Sequence, residues 1–207
     1  DNVRSVLRYL QTTQEADGHW PQNMWLDGTP YWNGIQMDEA AFPILLVDLA
    51  HREGTLSEQD LHGLWPMARR AASFLVRNGP VTQQDRWEED AGYSPFTLAV
   101  VIAALLVAAE MADACSEPDV AAYLRDTADV WNDYVERWTY VSGTPLARQT
   151  GVEGYYVRIA PPEVCTVASP NQGFVPIKNR PPGEMETPTE LSFPLYFVCQ
   201  RVDFMLP

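Results

Sequence analysis

Twelve consecutive apolar residues, LAVVIAALLVAA from Leu98 to Ala109, constrain this chain more than any other feature. Thr97 precedes the run and Glu110 follows it. A helix that is apolar around its whole circumference has to be buried on nearly all sides. The rest of the chain must therefore supply elements to pack around it. The run falls short of the ~20 residues that a bilayer span needs, so it reads as a core helix of a soluble protein.

The flanking sequence supplies such partners. Asp1 is placed to cap a first helix whose Val3, Leu7 and Leu10 share a face. Asp38 reads as the N-cap of a second helix through Leu49. Ser57 with Asp60 resembles a capping box and starts a third, carrying Leu61, Leu64, Met67, Ala71 and Leu75. Ser94-Pro95 opens the apolar fourth helix, and Ser116 with Pro118 opens a fifth. YYVRIA, residues 155–160, is the one plausible strand, and the tail from Leu191 reads as a last helix with Pro194 in its first turn. Long loops (14–36 and 78–93) alternate with short turns, which predicts an all-α fold of antiparallel helix pairs with the long loops at one end. No linker interrupts residues 1–207, so a single domain is expected.

Charge narrows the partners. Fourteen Lys and Arg face 28 Asp and Glu, a net charge of −14. Such a balance repels phosphate backbones and anionic bilayers, so neither nucleic acid nor a membrane is an expected partner. Cys115, Cys165 and Cys199 have no metal-like spacing, only three histidines occur, and HExxH is absent. No metal or other cofactor is expected. The opening DNVRSVLRYL has no positive n-region ahead of an apolar stretch and reads as a helix rather than a signal peptide, which leaves the compartment open.

The chemistry gathers in the long loops. A loop of about twenty residues in a compact domain is usually functional. Trp20, Trp25, Tyr31, Trp32, Trp87 and Tyr93 fall between helices rather than on apolar helix faces. Rings beside carboxylates and amides suit a sugar, which stacks its C–H face on the ring and offers its hydroxyls to Asp and Asn. The bland alternative is that the rings pin loops to helix ends; six of them in two loops favour a ligand surface. In Trp87-Glu88-Glu89, an indole beside a carboxyl can keep it protonated by desolvation, as a general acid requires. Neighbouring loop residues point different ways, so one Glu suits the acid and the other a hydroxyl ligand, or the pair is a solvated charge run. Asp38 suits a cap that also reaches ligand. Lys178 and Arg180 read as loop-stapling charges, and no nucleophile elbow, P-loop or dinucleotide fingerprint is present.

QEADGHWPQNMWLDGTPYWNGIQMDEAAFPILL, QDRWEEDAGYSPFTLAVVIAAL, GYYVRIAPPE and GFVPIKNRPPG together resemble bacterial members of glycoside hydrolase family 15, the glucoamylases. The resemblance implies part of an (α/α)6 toroid, roughly half of the ring, with its site in loops at one end. It implies an inverting exo-hydrolase that releases glucose from non-reducing ends of α-glucans. By resemblance Glu88 is the general acid, Glu89 a substrate-binding carboxylate and Trp87 the indole beside the acid. Asp38 binds hydroxyls of the terminal glucose, and Trp32 lies in the same subsite. The family's catalytic base and a substrate-binding arginine lie in later loops, and its bacterial members carry a β-sandwich ahead of the toroid. Two other readings follow: a saccharide-binding remnant without turnover, or a half-toroid hydrolase of an ester or amide using Glu88 or Glu89 as base. A half-ring leaves apolar surface at its open edge, so a homo-oligomer, or another association that completes the ring, is expected.

Overall fold

The computed structural model describes residues 2–32 and 34–162, and beyond them the backbone of two short paired strands. Five long helices dominate: α1 (Asn2–Thr13), α2 (Met37–Arg52), α3 (Glu58–Asn78), α4 (Pro95–Ala114) and α5 (Pro118–Thr139). A short hairpin, β1 (Asn23–Met24) with β2 (Pro30–Trp32), sits in the first long loop. After α5 come β3 (Tyr140–Ser142), a one-and-a-half-turn α6 (Pro145–Thr150) and β4 (Gly154–Tyr156), with β3 antiparallel to β4. The remaining pair is β5 (Val175–Pro176) with β6 (Met185–Glu186).

The helix starts show why the sequence folds this way. At α3, Ser57 Oγ accepts from the Asp60 amide while the Asp60 carboxylate accepts from the Ser57 amide, a complete capping box. At α4, Ser94 caps the Thr97 amide and Pro95 occupies a position whose N–H would have gone unused. α5 departs from expectation: Glu117 is its N-cap, and Ser116 turns the chain with φ +62°. The caps expected at Asp1 and the helix expected from Leu191 lie outside the described residues, as do Cys165, Cys199, Lys178 and Arg180.

The helices form two rows. α1, α3 and α5 make one: Arg4 bridges to Asp60, Gln11 reaches the Gly63 carbonyl, and Trp65 Nε1 donates to Glu117. α2 and α4 lie side by side in the other, with α4 touching α2, α3 and α5. The core between the rows contains Leu7, Ile44, Val47, Met67, Phe74, Leu75, Leu98 and Leu105, all essentially inaccessible.

α4 is longer than its twelve-residue apolar run. Over its 20 residues it is apolar and long enough to cross a bilayer by length and composition alone. Its apolar surface is met on one side by its neighbours, through Leu98, Val101, Ala104, Leu105, Ala108 and Ala112. Burial on nearly all sides does not hold, because Phe96 and Leu106 face outward at 38% and 41% exposure; Phe42 and Leu49 of the neighbouring α2 are exposed as well. One side of the α2–α4 row is thus an open apolar face.

Candidate functional site

The two long loops meet at one end, where α2 and α4 both begin. Thr82 of the second loop accepts from the Met37 amide at 3.3 Å and itself donates to the Gln84 carbonyl at 2.6 Å. A Cβ at position 34 would collide with the side chains of Gln84, Trp32 and Gln22, so the loops approach as closely as glycine permits.

The first loop divides into two functions. Its first half is pinned down: Trp20 is buried with its Nε1 donating to the Leu10 carbonyl, and His19 stacks on Phe74 at 5.0 Å. Gly18, at φ +112°, sits against the Arg70 carbonyl. Its second half stands out. Trp25, Tyr31 and Trp32 of the hairpin are exposed, with Trp25 and Tyr31 edge-to-face at 5.3 Å. In the second loop Trp87 is about half exposed, whereas Tyr93 is buried against Trp138 at 4.7 Å. Trp20 and Tyr93 are therefore packing residues, contrary to a reading of all six rings as a ligand surface. A search for helical periodicity cannot make that distinction, because it sees only residues on helix faces.

Asp38 is not the cap of α2. Gln36 holds the N-cap position without a side-chain cap bond, and Asp38 lies inside the first turn. Its side chain is 3% exposed and accepts from Thr97 Oγ1 of α4 at 3.0 Å. Burial pushes its carboxyl above the usual range, against the opposing effect of the Thr97 bond. Its neighbour Glu39, absent from the sequence reading, is more strongly perturbed. Burial, with the Asp38 and Glu88 charges adding repulsion, raises the Glu39 carboxyl to about 8. Its Oε2 is buried with no hydrogen-bond partner among the described residues. Pro43, four residues on, has no N–H to offer the Glu39 carbonyl, so α2 is locally unlatched where these two acids sit.

The Trp87-Glu88-Glu89 segment is a built turn. Asp85 Oδ1 accepts from the amides of Trp87 and Glu89 at 3.2 Å and of Asp90 at 3.4 Å. The Asp85 amide donates to the Asp90 carbonyl, and the Glu88 amide donates to the Asp85 carbonyl, both at 2.8 Å. Closing the chain around one carboxylate puts Glu88 at φ +63°, a left-handed conformation uncommon for a residue with a side chain. Glu88 is exposed, not desolvated by Trp87 as expected. Its charge nonetheless reaches Glu39 on α2, while Asp38 senses Arg86 and Asp85. Arg86 lies over both the Trp87 and Phe96 rings, at 5.3 and 4.5 Å. The structure thus brings the loop with Glu88, Glu89 and Trp87 across the start of α2, with Trp32 on the adjoining first loop.

Arg158 completes the site. It follows β4 at a bend between the fully buried Val157 and Ile159, just before Ala160 exchanges backbone hydrogen bonds with Tyr93. Its Nη1 reaches Asp85 at 2.8 Å and Glu89 at 3.1 Å, and its Nη2 pairs with Asp90. Asp90 is fully buried, and burial outweighs the arginine to raise its carboxyl to about 6. The sequence held a signal for this arginine, a lone cation inside an apolar extended run. No group of three or more His, Cys, Asp or Glu suited to a metal occurs among the described residues.

Two helix rows with carboxylates and exposed rings at one end have the architecture of a helical glycoside hydrolase. Residues 10–185 match the glycosyl hydrolases family 15, and the chain belongs to that family. It is 38% identical over 160 residues to a glucoamylase of a Clostridium species, covering 77% of this chain and 21% of that one. It is 28% identical over 115 residues to an uncharacterized glycosyl hydrolase of Methanocaldococcus jannaschii, covering 55% and 18%. A crystal structure of a bacterial glucoamylase complexed with acarbose superposes with a TM-score of 0.67 at 32% identity, over 84% of this chain and 25% of that one. The chain spans about a fifth of the length of the curated relatives it matches. Its helix pairs are a section of the (α/α)6 toroid.

Proposed function

We propose that residues 1–207 form one partial toroid domain carrying the acid side of a glucoamylase-type site, acting on non-reducing ends of α-glucans by inverting hydrolysis. Glu88 donates its proton to the glycosidic oxygen as the bond to C1 breaks. Water attacks C1 from the opposite face and yields its proton to a second carboxylate about 6.5–9.5 Å from the acid. That base comes from chain beyond the described residues or from a partner. Asp38 and Glu89 take the hydroxyls of the terminal glucose, and Trp87 and Trp32 offer their faces to sugar rings. A sugar seated on Trp87 displaces the water around Glu88, and loss of water favours the neutral carboxyl that an acid needs.

The observation that carries this reading is the turn around Asp85, which presents Glu88 beside an exposed indole and within electrostatic reach of the part-buried Glu39, next to the buried Asp38 of α2. Release of glucose from maltotriose, followed by anomer-resolved detection, is the test. β-Glucose is the expected first product, and Glu88→Gln is expected to remove at least about 99% of the rate, as loss of a general acid does. Hydrolysis unchanged in Glu88→Gln would refute the assignment. A second reading, saccharide binding without turnover, is supported by the exposed rings of Trp25, Tyr31, Trp32 and Trp87 beside the carboxylates. Calorimetric binding of acarbose with no glucose released would select it.

A further inference from the structure

The acidic turn poses an electrostatic problem. Asp85, Glu88, Glu89 and Asp90 crowd four carboxyl groups into six residues, and Asp38 and Glu39 of α2 lie within reach. Arg86 is drawn off over the Trp87 and Phe96 rings. Arg158 is the cation that enters the turn, and its side chain is only 11% exposed. Asp85 faces two ways: Oδ1 gathers the amides of Trp87, Glu89 and Asp90, while Oδ2 is held by Arg158 at 2.8 Å. The same guanidinium touches Glu89 and Asp90.

We infer that Arg158 is a positioning residue for Glu88: by fixing Asp85, it holds the turn that presents the Glu88 carboxyl in its left-handed conformation. Arg158 touches no reacting atom. It acts through Asp85, and its fork restrains Glu89 at the same time. A planar guanidinium can meet these carboxylates along separate N–H vectors, which a lysine ammonium reproduces only in part. The inference rests on the proposed acid role of Glu88 for its catalytic consequence, but its structural content does not.

The test therefore has two arms, applied to the full chain. Backbone hydrogen exchange reads the turn directly. In Arg158→Met, exchange of the Trp87, Glu89 and Asp90 amides is expected to quicken about tenfold or more, while amides in the middle of α4 keep their rate. Arg158→Lys should recover part of that protection. Asp85→Asn, which keeps the side-chain shape but weakens its hold on the guanidinium, should quicken the same amides. Maltotriose kinetics read the consequence: kcat falls about tenfold to a hundredfold, as expected for a displaced proton donor, with a smaller rise in KM from the freed Glu89. If Arg158→Met fails to fold by circular dichroism, Arg158→Lys and Asp85→Asn carry the test. Wild-type exchange of these three amides in the folded variants overturns the inference. A wild-type chain that neither binds acarbose nor releases glucose, alongside accelerated exchange in Arg158→Lys, sinks the glucoamylase reading and leaves the clamp standing.

Discussion

Glu39 shows how burial sets protonation. Its carboxyl is held near 8 in the folded chain, whereas in the unfolded chain it returns to its ordinary value of 4.5. Between those pH values the native state keeps a proton that the unfolded state has released. Stability is full below about pH 4.5 and falls as the pH rises towards 8. Asp90 acts in the same direction between 3.8 and about 6. Asp60 acts oppositely: its Arg4 and Ser57 partners depress it, so its contribution is lost as the pH falls below 3.8. The chain is expected to be most stable in mildly acidic solution. Glu39→Gln should flatten the loss above pH 5, by an amount on the order of a few kcal/mol by pH 8. Thermal unfolding of both proteins at pH 5 and pH 8 measures this. Equal pH slopes would mean that Glu39 ionises freely in the native state.

At the scale of elements, the acidic turn and the segment that carries Arg158 are joined through Gly92. A Cβ there would strike the Ala160 carbonyl and the Ile159 side chain, and the residue sits at φ +154°. Gly92→Ala must push the two segments apart or strain both, at a cost of about 1–3 kcal/mol. A lowered melting temperature, with parallel loss of exchange protection at Tyr93, is the expected result. Helices were the legible part of this sequence because their ends carry chemistry: Ser57 with Asp60, and Ser94 with Pro95, mark starts that the structure keeps. The hairpin of β1 and β2 was not legible. Strands of two and three residues carry no period, and what holds them is the Gly28 turn and the Tyr9 hydroxyl that donates to the Trp25 carbonyl. Asp38 was legible as a functional candidate but misplaced as a cap, because a carboxylate at a helix start suits either the cap or the first turn. Glu39 and Arg158 escaped because their importance comes from partners dozens of residues away.

Across the whole molecule, the unusual surface is the outward side of α2 and α4. Phe42, Leu49, Phe96 and Leu106 contribute to it, on a chain that is otherwise strongly acidic. Apolar faces of this kind are normally covered in soluble proteins. Association with a second copy through this face is the expected outcome at micromolar concentration, and light scattering reads it as mass above 23.3 kDa. Leu106→Glu, which places a charge in that face without touching the core, should return the chain to a monomer. A monodisperse wild-type monomer would refute association through this face.

The position of Arg158 in the chain has a consequence for the order in which this protein is completed. Synthesis delivers all five long helices by Thr139 and the acidic turn well before that. For those intervening residues the turn holds its carboxylates together without their cation. Only when the ribosome has released the stretch through Ala160 can the guanidinium enter and the backbone pair with Tyr93. A nascent chain stalled after α5 would thus own its five long helices yet carry an unset turn. The acidic turn is fastened late, by a segment that also adds Val157, Ile159 and Ala160 to the buried interior.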